Sequence, residues 1–347
     1  MLKNNLSRRA FVGSSLAGAA TLVLAGCGGS NGSDANSGSG DSKPASGEKT
    51  KLTFCLDYTP NTNHTGIYVA KNQGFFEEEG LDVEIVQPAD GTAEAAIASG
   101  QAQFGVSYQD YIAACYDEGN TGLTAVAAII QHNTSGIMSR AEDGITHAAL
   151  MEDHVYTTWD MAVEQATIKQ VMTTDGGDFS KLKMVPFTVD DEVQGLKANM
   201  FDCVWVYEGW AVQNAAVQDY PVNYFSFKDM DDVFDFYTPV LAANNDFMKS
   251  NPDAVKAFLR AAKKGYEFAV EHPEDAAQIL CDEVPELDSA LVEASAKFLA
   301  DQYTADASSW GVIDGKRWAA YFQWLNDNDL VENKLDVNAG FDTSYLA

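Results

Sequence analysis

Two stretches of this chain exchange strand-like and helix-like periods at short intervals, and that alternation restricts the fold more than any other feature. Over residues 52–130 the strand readings are 52–56, 81–86, 104–106 and 123–130. In the second of these, Asp82 and Glu84 alternate against Leu81, Val83 and Ile85, the period-2 pattern of a strand with one wet face. Helical readings lie between them at 65–73, 92–98 and 109–118. Strands separated by helices pair in parallel, because a parallel pair needs a long crossover while a hairpin does not. The order therefore predicts an α/β sheet with helices on its faces. After a polar break at 131–144 the alternation resumes, with strands at 154–157, 183–187, 202–206 and 222–227. Helices at 160–172, 190–198 and 208–217 separate them, which predicts a second sheet of the same kind.

Beyond about Tyr237 the pattern turns helical. Asn251 followed by Pro252 starts a helix in the favoured way, a capping side chain before a proline in the first turn. Val255, Phe258, Leu259, Ala262, Tyr266 and Ala269 give it one apolar stripe. Further helices are expected from Pro273, over 289–299 and over 316–325. Trp318, Tyr321, Phe322 and Leu325 fall at i, i+3, i+4 and i+7, and we read them as a packed core face rather than a ligand site.

The amino end carries a different kind of signal. Ser7, Arg8, Arg9, Ala10 and Phe11 form a twin-arginine export pattern, followed by a short run of small and apolar residues over 12–26. That run is too short and too rich in Gly, Ser and Ala for a membrane span, so residues 1–26 read as a cleaved signal. Leu24, Ala25, Gly26 and Cys27 resemble a bacterial lipobox, in which the cysteine is acylated and becomes the first mature residue. Residues 27–50 then comprise Cys27 and a stretch dominated by Gly, Ser, Asn and Asp, expected to be a flexible tether. The expected location is the outer face of the cell membrane, held by lipid. About 300 residues remain, enough for two lobes of ordinary size.

The chain has 22 basic and 51 acidic residues, a net charge of −29, and removing Lys3, Arg8 and Arg9 with the signal leaves −32. Nucleic acid is excluded as a partner, since phosphates need clustered Lys and Arg. Besides Cys27 there are Cys55, Cys115, Cys203 and Cys281, spread through apolar stretches without CxxC spacing, so free thiols and bridges both stay open and no metal site is implied. No GxSxG, Walker loop, HExxH or zinc spacing occurs, and no cofactor is expected.

The most informative loop follows the first strand: Asp57, Tyr58, Thr59, Pro60, Asn61, Thr62, Asn63, His64, Thr65 and Gly66. Ligands of open α/β sheets bind at the carboxyl ends of strands, where this polar loop sits. Residues 56–85, LDYTPNTNHTGIYVAKNQGFFEEEGLDVEI, resemble the opening of the thiamine-pyrimidine (ThiY-like) solute-binding proteins, in a superfamily shared with sulfonate and nitrate binders and the fungal pyrimidine synthases. Residues 157–178, TTWDMAVEQATIKQVMTTDGGD, resemble the start of that family's second lobe, and Tyr207-Glu208-Gly209-Trp210 its EGW segment. Phe236-Tyr237-Thr238-Pro239-Val240 resembles the return crossing, and residues 251–269 the helix after it.

The resemblance implies a two-lobed type II periplasmic-binding-protein fold with a ligand cleft between lobes. Lobe 1 would hold 51–140 and 241–347, and lobe 2 would hold 141–240. It implies an extracytoplasmic solute-binding protein, not an enzyme, that captures a flat heterocycle such as a thiamine pyrimidine precursor and delivers it to an ABC transporter permease. A riboflavin-like ligand is the alternative within the fold, and a ligand-sensing co-receptor lipoprotein the alternative outside transport. A pyrimidine synthase is disfavoured because the CCCFC cluster of those enzymes is absent. Sulfonates and nitrate fit poorly, since no Arg occurs between Leu52 and Ser139.

Within that frame Tyr58, Trp159 and Trp210 are candidate flat walls for a ring, or else ordinary core. Asn61 and His64 are candidate hydrogen-bonding partners of ring nitrogens or an amide, with helix capping the alternative for His64. Asp57 would serve the ligand or brace the loop. Glu208, beside Gly209, which would leave room for a ligand, could accept two N–H groups of an aminopyrimidine or could simply complement a helix dipole. Tyr108 would reach the cleft, and Tyr237 would bind ligand or pack at the hinge. Replacing Cys27 by Ser is expected to leave an exported but poorly processed or released protein, read by membrane fractionation; normal processing and retention would remove the lipoprotein assignment.

Overall fold

The computed structural model describes residues 49–88, 91–187 and 191–346. The signal, Cys27 and nearly all of the tether expected over 27–50 lie outside the described residues. From Thr50 onward the chain builds β1 (Thr50–Cys55), α1 (Thr65–Asn72), α2 (Phe75–Glu78), β2 (Leu81–Val86), α3 (Ala93–Ala98), β3 (Phe104–Ser107), α4 (Gln109–Asp117) and β4 (Leu123–Ala128). It continues with β5 (Ser135–Arg140), β6 (Val155–Thr158), α5 (Ala162–Thr174), β7 (Lys183–Pro186), α6 (Glu192–Lys197), β8 (Cys203–Tyr207), α7 (Gln213–Val217) and β9 (Val222–Ser226). The last part is β10 (Val240–Asn244), α8 (Asn245–Ser250), α9 (Pro252–Glu271), α10 (Pro273–Glu283), α11 (Ser289–Thr304) and α12 (Gly315–Asp327).

Among the described residues the strands form two five-stranded sheets, ordered β2-β1-β3-β10-β4 and β7-β6-β8-β5-β9. Both share one plan. Strands β2, β1 and β3 run parallel, and so do β7, β6 and β8; next to each trio a strand arrives antiparallel from the other half of the chain. Two corrections to the sequence reading follow. The polar break at 131–144 contains β5, fully buried and paired between β8 and β9, so residues 135–140 belong to the second sheet and not to the segment 51–140. The return crossing likewise runs directly into β10, buried between β3 and β4. A strand covered on both faces has no wet side, so it shows no alternation. The Ser and Gly of β5 and the Ala of β10 further hide the strand signal.

The helices bury what their stripes announced. Val255, Phe258, Leu259, Ala262, Tyr266 and Ala269 are each at most 2 % exposed, and Phe258 stacks on Phe104 with ring centres 3.9 Å apart. Trp318, Tyr321, Phe322 and Leu325 of α12 are equally buried on the other face of the first sheet, and Tyr321 also lines the cavity described below, which corrects the reading of the whole stripe as core alone. Cys55, Cys115, Cys203 and Cys281 are free thiols. No described helix is long and apolar enough to cross a membrane.

Two connections link the sheets, at 129–134 and 227–239, and Arg317 from the first turn of α12 holds both. Its guanidinium donates to the Gln131 carbonyl (2.7 Å) on one connection and to Asp235 Oδ2 (2.8 Å) on the other. Asn133 N–H donates to Asp235 Oδ1 (2.9 Å), and His132 Nδ1 lies 2.7 Å from Oδ2. The same guanidinium sits 4.0 Å above the ring of Tyr237.

Helices α1 and α9 meet backbone to backbone through Gly66 and Gly265. A Cβ on Gly265 would lie 1.9 Å from the Gly66 carbonyl oxygen, and one on Gly66 would lie 2.3 Å from the Tyr266 ring. This approach seats α1, and with it the loop that precedes it. Gly265→Ala gains about 1 kcal/mol of helix propensity but forces the helices apart, so a net loss of about 1–3 kcal/mol is expected. Urea unfolding should show a lower midpoint with an unchanged slope.

Candidate ligand-binding site

The loop after β1 is organised by one buried carboxylate. Asp57 takes the Nε2–H of His64 on Oδ1 (2.6 Å) and the hydroxyl of Tyr108 on Oδ2. His64 Nδ1 accepts the backbone N–H of Asn61 (3.1 Å), which puts the ring proton on Nε2. Burial works to raise the Asp57 carboxyl, but the His64 and Tyr108 hydrogen bonds outweigh it and hold its pKa below the ordinary value. Burial, with Asp57 beside it, drives the Tyr108 phenol well above its usual range, so it stays a donor. The Asn61 side chain accepts Asn63 N–H (2.9 Å) and caps the short 3₁₀ turn that leads into α1.

A second carboxylate organises the facing loop. Glu164, 3 % exposed, accepts the hydroxyls of Tyr156 (2.6 Å) and Thr158 (2.8 Å) and the N–H of Trp159 (3.0 Å). Asp160 follows in the left-handed region at φ 61°, a conformation Asp tolerates, and donates its N–H to Thr158 Oγ1 (2.9 Å). This sharp turn presents the Trp159 ring 5.6 Å from Trp205.

Tyr108, which Asp57 holds, and Trp159, which Glu164 holds, both line a cavity of about 280 Å³. Tyr108, Asp110 and Tyr111 of β3–α4, Phe236 of the second connection and Tyr321 of α12 line one side. Trp159, Met161, Val163, Glu164, Trp205 and Tyr207 line the other. Seven of these are aromatic, and none is Lys, Arg, His or Cys.

The expected site residues divide sharply. Tyr108 and Trp159 line the cavity. Asp57 stands behind Tyr108 as the brace. His64 is fully buried with both ring nitrogens engaged, and Asn61 is used as a cap, so neither offers the ligand contact expected of it. Tyr58 is 68 % exposed and outside the lining. Tyr237 is buried at the connection, its hydroxyl accepting Asp314 N–H (2.7 Å) and its ring carrying Arg317, and it is outside the cavity lining.

Glu208 and Trp210 fall in a π-helical turn, Glu208–Val212, and line no part of the cavity. Trp205 and Tyr207 share the cavity face of β8, and the chain leaves the strand at Glu208. Burial raises the Glu208 carboxyl and Lys228 pulls it back. The space at Gly209 is filled by protein rather than left for a ligand. A Cβ there would lie 3.0 Å from Leu299 of α11, and Ser295 of the same helix donates to the Gly209 carbonyl.

Asp110, in the first turn of α4, is a lining carboxylate that the sequence analysis did not single out. Its Oδ1 is buried without a partner, as is the Nε1–H of Trp205 across the cavity. Burial raises its pKa to about 6; backbone hydrogen bonds at Asp110 and Tyr111 oppose this and buried Glu94 adds to it. A raised acid means the unfolded chain ionises first, so folding loses stability as pH rises from about 4 to about 6, and the full cost persists above. Asp110→Asn, which copies the neutral form, should therefore stabilise the protein at pH 7 by up to about 3 kcal/mol. The gain should vanish near pH 4, and denaturant titrations at the two pH values measure it.

Comparison with known proteins places this architecture. The NMT1/THI5 like family model matches residues 61–276, more than half of the chain. The formylaminopyrimidine-binding protein of Halalkalibacterium halodurans is 26 % identical over 293 residues, covering 82 % of this chain and 88 % of that one. A 4-amino-5-hydroxymethyl-2-methylpyrimidine phosphate synthase of Saccharomyces cerevisiae, THI11, is 23 % identical over 252 residues, covering 70 % and 73 %. Among solved structures, the periplasmic aliphatic sulphonate binding protein SsuA from Escherichia coli superposes with a TM-score of 0.65 at 14 % identity, over 83 % of this chain and 96 % of that one. The chain belongs to the NMT1/THI5-like family and has the two-lobed periplasmic-binding-protein fold, with its cleft between the lobes.

Proposed function

We propose that this protein is an extracytoplasmic solute-binding protein that captures a small flat heterocycle, an aminopyrimidine of the thiamine-precursor type, and hands it to an ABC importer. The observation that carries this reading is the cavity: about 280 Å³, walled by aromatic rings from both lobes. Stacking on such walls adds about 0.5–1.5 kcal/mol per ring pair beyond area burial. The size favours one ring, because pockets for drug-sized ligands run from about 300 to 1,000 Å³. A three-ring flavin with a ribityl chain needs more room than this. An alkanesulfonate would meet Asp110 and Glu164 with no cationic side chain lining the cavity to offset them. The family and the pyrimidine-binding relative agree with this choice.

The synthases among the relatives raise the enzyme reading. The lining offers carboxylates but no thiol, amine or imidazole, and the formylaminopyrimidine-binding relative, which matches more of this chain than the synthase does, favours capture over chemistry. The twin-arginine and lipobox residues at 7–27 support a location on the extracytoplasmic face of the cell membrane, with the mature protein held by a lipid on Cys27.

A thermal-shift panel on the mature domain tests the reading against aminopyrimidines, thiamine, riboflavin and alkanesulfonates. Ligand at one hundred times its Kd stabilises by about 2.7 kcal/mol, expected as a rise of about 5 °C or more for a single-ring aminopyrimidine. A shift with sulfonate alone, or chemical conversion of the pyrimidine during incubation, would sink it.

A further inference from the structure

Two buried polar side-chain atoms without a hydrogen-bond partner belong to residues lining the cavity: Oδ1 of Asp110 and Nε1–H of Trp205. Buried polar groups are normally paired, and each unpaired one carries a desolvation cost that a bound partner can relieve. They come from opposite lobes, Asp110 from the first turn after β3 and Trp205 from the middle of β8. They also have opposite sense, one an acceptor and one a donor.

We propose that these two atoms are the polar reader of the cleft, so that it selects a flat ring with an N–H group on one edge, taken by Asp110, and a lone-pair acceptor on another, taken by Trp205. The inference rests on the heterocycle-binding reading above and deepens it. It moves the specificity carboxylate from Glu208, which is outside the cavity lining, to Asp110. A 4-aminopyrimidine has both edges, its exocyclic amine donating and a ring nitrogen accepting. Because the two partners sit on different lobes, such a ring also links the lobes, and either contact alone would not.

Aromatic walls with a carboxylate also suit a quaternary ammonium ion. That class has neither an N–H for Asp110 nor a lone pair for Trp205, so it would leave both atoms unpaired. The walls alone do not discriminate; the two polar atoms do.

Trp205 is itself placed rigidly for this role. Its ring packs on Phe227 with centres 4.3 Å apart and leans on Trp159. Trp205→Phe keeps a ring there while deleting the N–H, and Asp110→Asn keeps the shape while replacing one carboxylate oxygen by a donor.

Calorimetric titration of the full mature chain with 4-amino-2-methylpyrimidine, 2,4-dimethylpyrimidine and tetramethylammonium separates the outcomes. Asp110→Asn should weaken the aminopyrimidine about tenfold or more and leave the dimethyl analogue within about threefold, since a hydrogen bond to a charged group is lost only for the former. Trp205→Phe should weaken both pyrimidines about equally, by about threefold to tenfold, because both keep the ring acceptor. Unfolding curves of both variants confirm that the fold persists. If wild-type protein binds neither pyrimidine, the heterocycle reading itself fails. If it binds the aminopyrimidine and Asp110→Asn weakens both pyrimidines alike or neither, the reader assignment fails while the broader reading stands. Tetramethylammonium binding as tightly as the aminopyrimidine would also overturn it, in favour of a cation cage.

Discussion

Everything in this molecule depends on an exchange of strands. Each sheet receives its fourth ordered strand from the other half of the chain, β5 into the second and β10 into the first, and each arrives antiparallel between two neighbours. The connections that deliver them therefore end in fully hydrogen-bonded central strands. Such a connection can bend between the sheets but cannot slip, because a one-residue shift would turn every side chain of a buried strand to the other face. Arg317 adds a second restraint by bonding both connections at once and stacking on Tyr237. A cleft bounded by two sheets joined this way has a defined floor, and Phe236 of the second connection forms part of it.

On that frame, two carboxylates shape the site by the donors they gather. Asp57 ties His64 and Tyr108 together, and Glu164 gathers Tyr156, Thr158 and Trp159. Each satisfies several donors that the loops would otherwise bury unpaired, which is why a polar loop can sit at the end of a buried strand at all. Each also holds one cavity ring by its neighbour, Tyr108 on one lobe and Trp159 on the other. The α11 helix links the two lobes on a further side, through the hydroxyl of Thr62, which lies 2.5 Å from Ser295 Oγ, and through Ser295 to the Gly209 carbonyl. The cavity lining contains no Lys, Arg or His.

The sequence by itself determined the two α/β halves and the apolar stripes of α9 and α12, because period and polarity are local properties of the chain. It also carried the family resemblance, through residues 56–85 and 207–210. What only the tertiary structure decided is where strands lie when both faces are covered, and which polar side chains are left over after the protein has satisfied itself. Strands β5 and β10 have no wet face to reveal them. His64 and Asn61 look like ligand groups until their partners are known, and Asp110 looks like a helix-cap charge until its oxygen is found unpaired. Glu208 and Asp110 are both acids beside a helix start in the sequence; only the folded chain leaves one outside the cavity lining and puts the other in it. Hydrogen-bond satisfaction is a property of neighbours brought together from distant parts of the chain, and so it becomes visible only after folding.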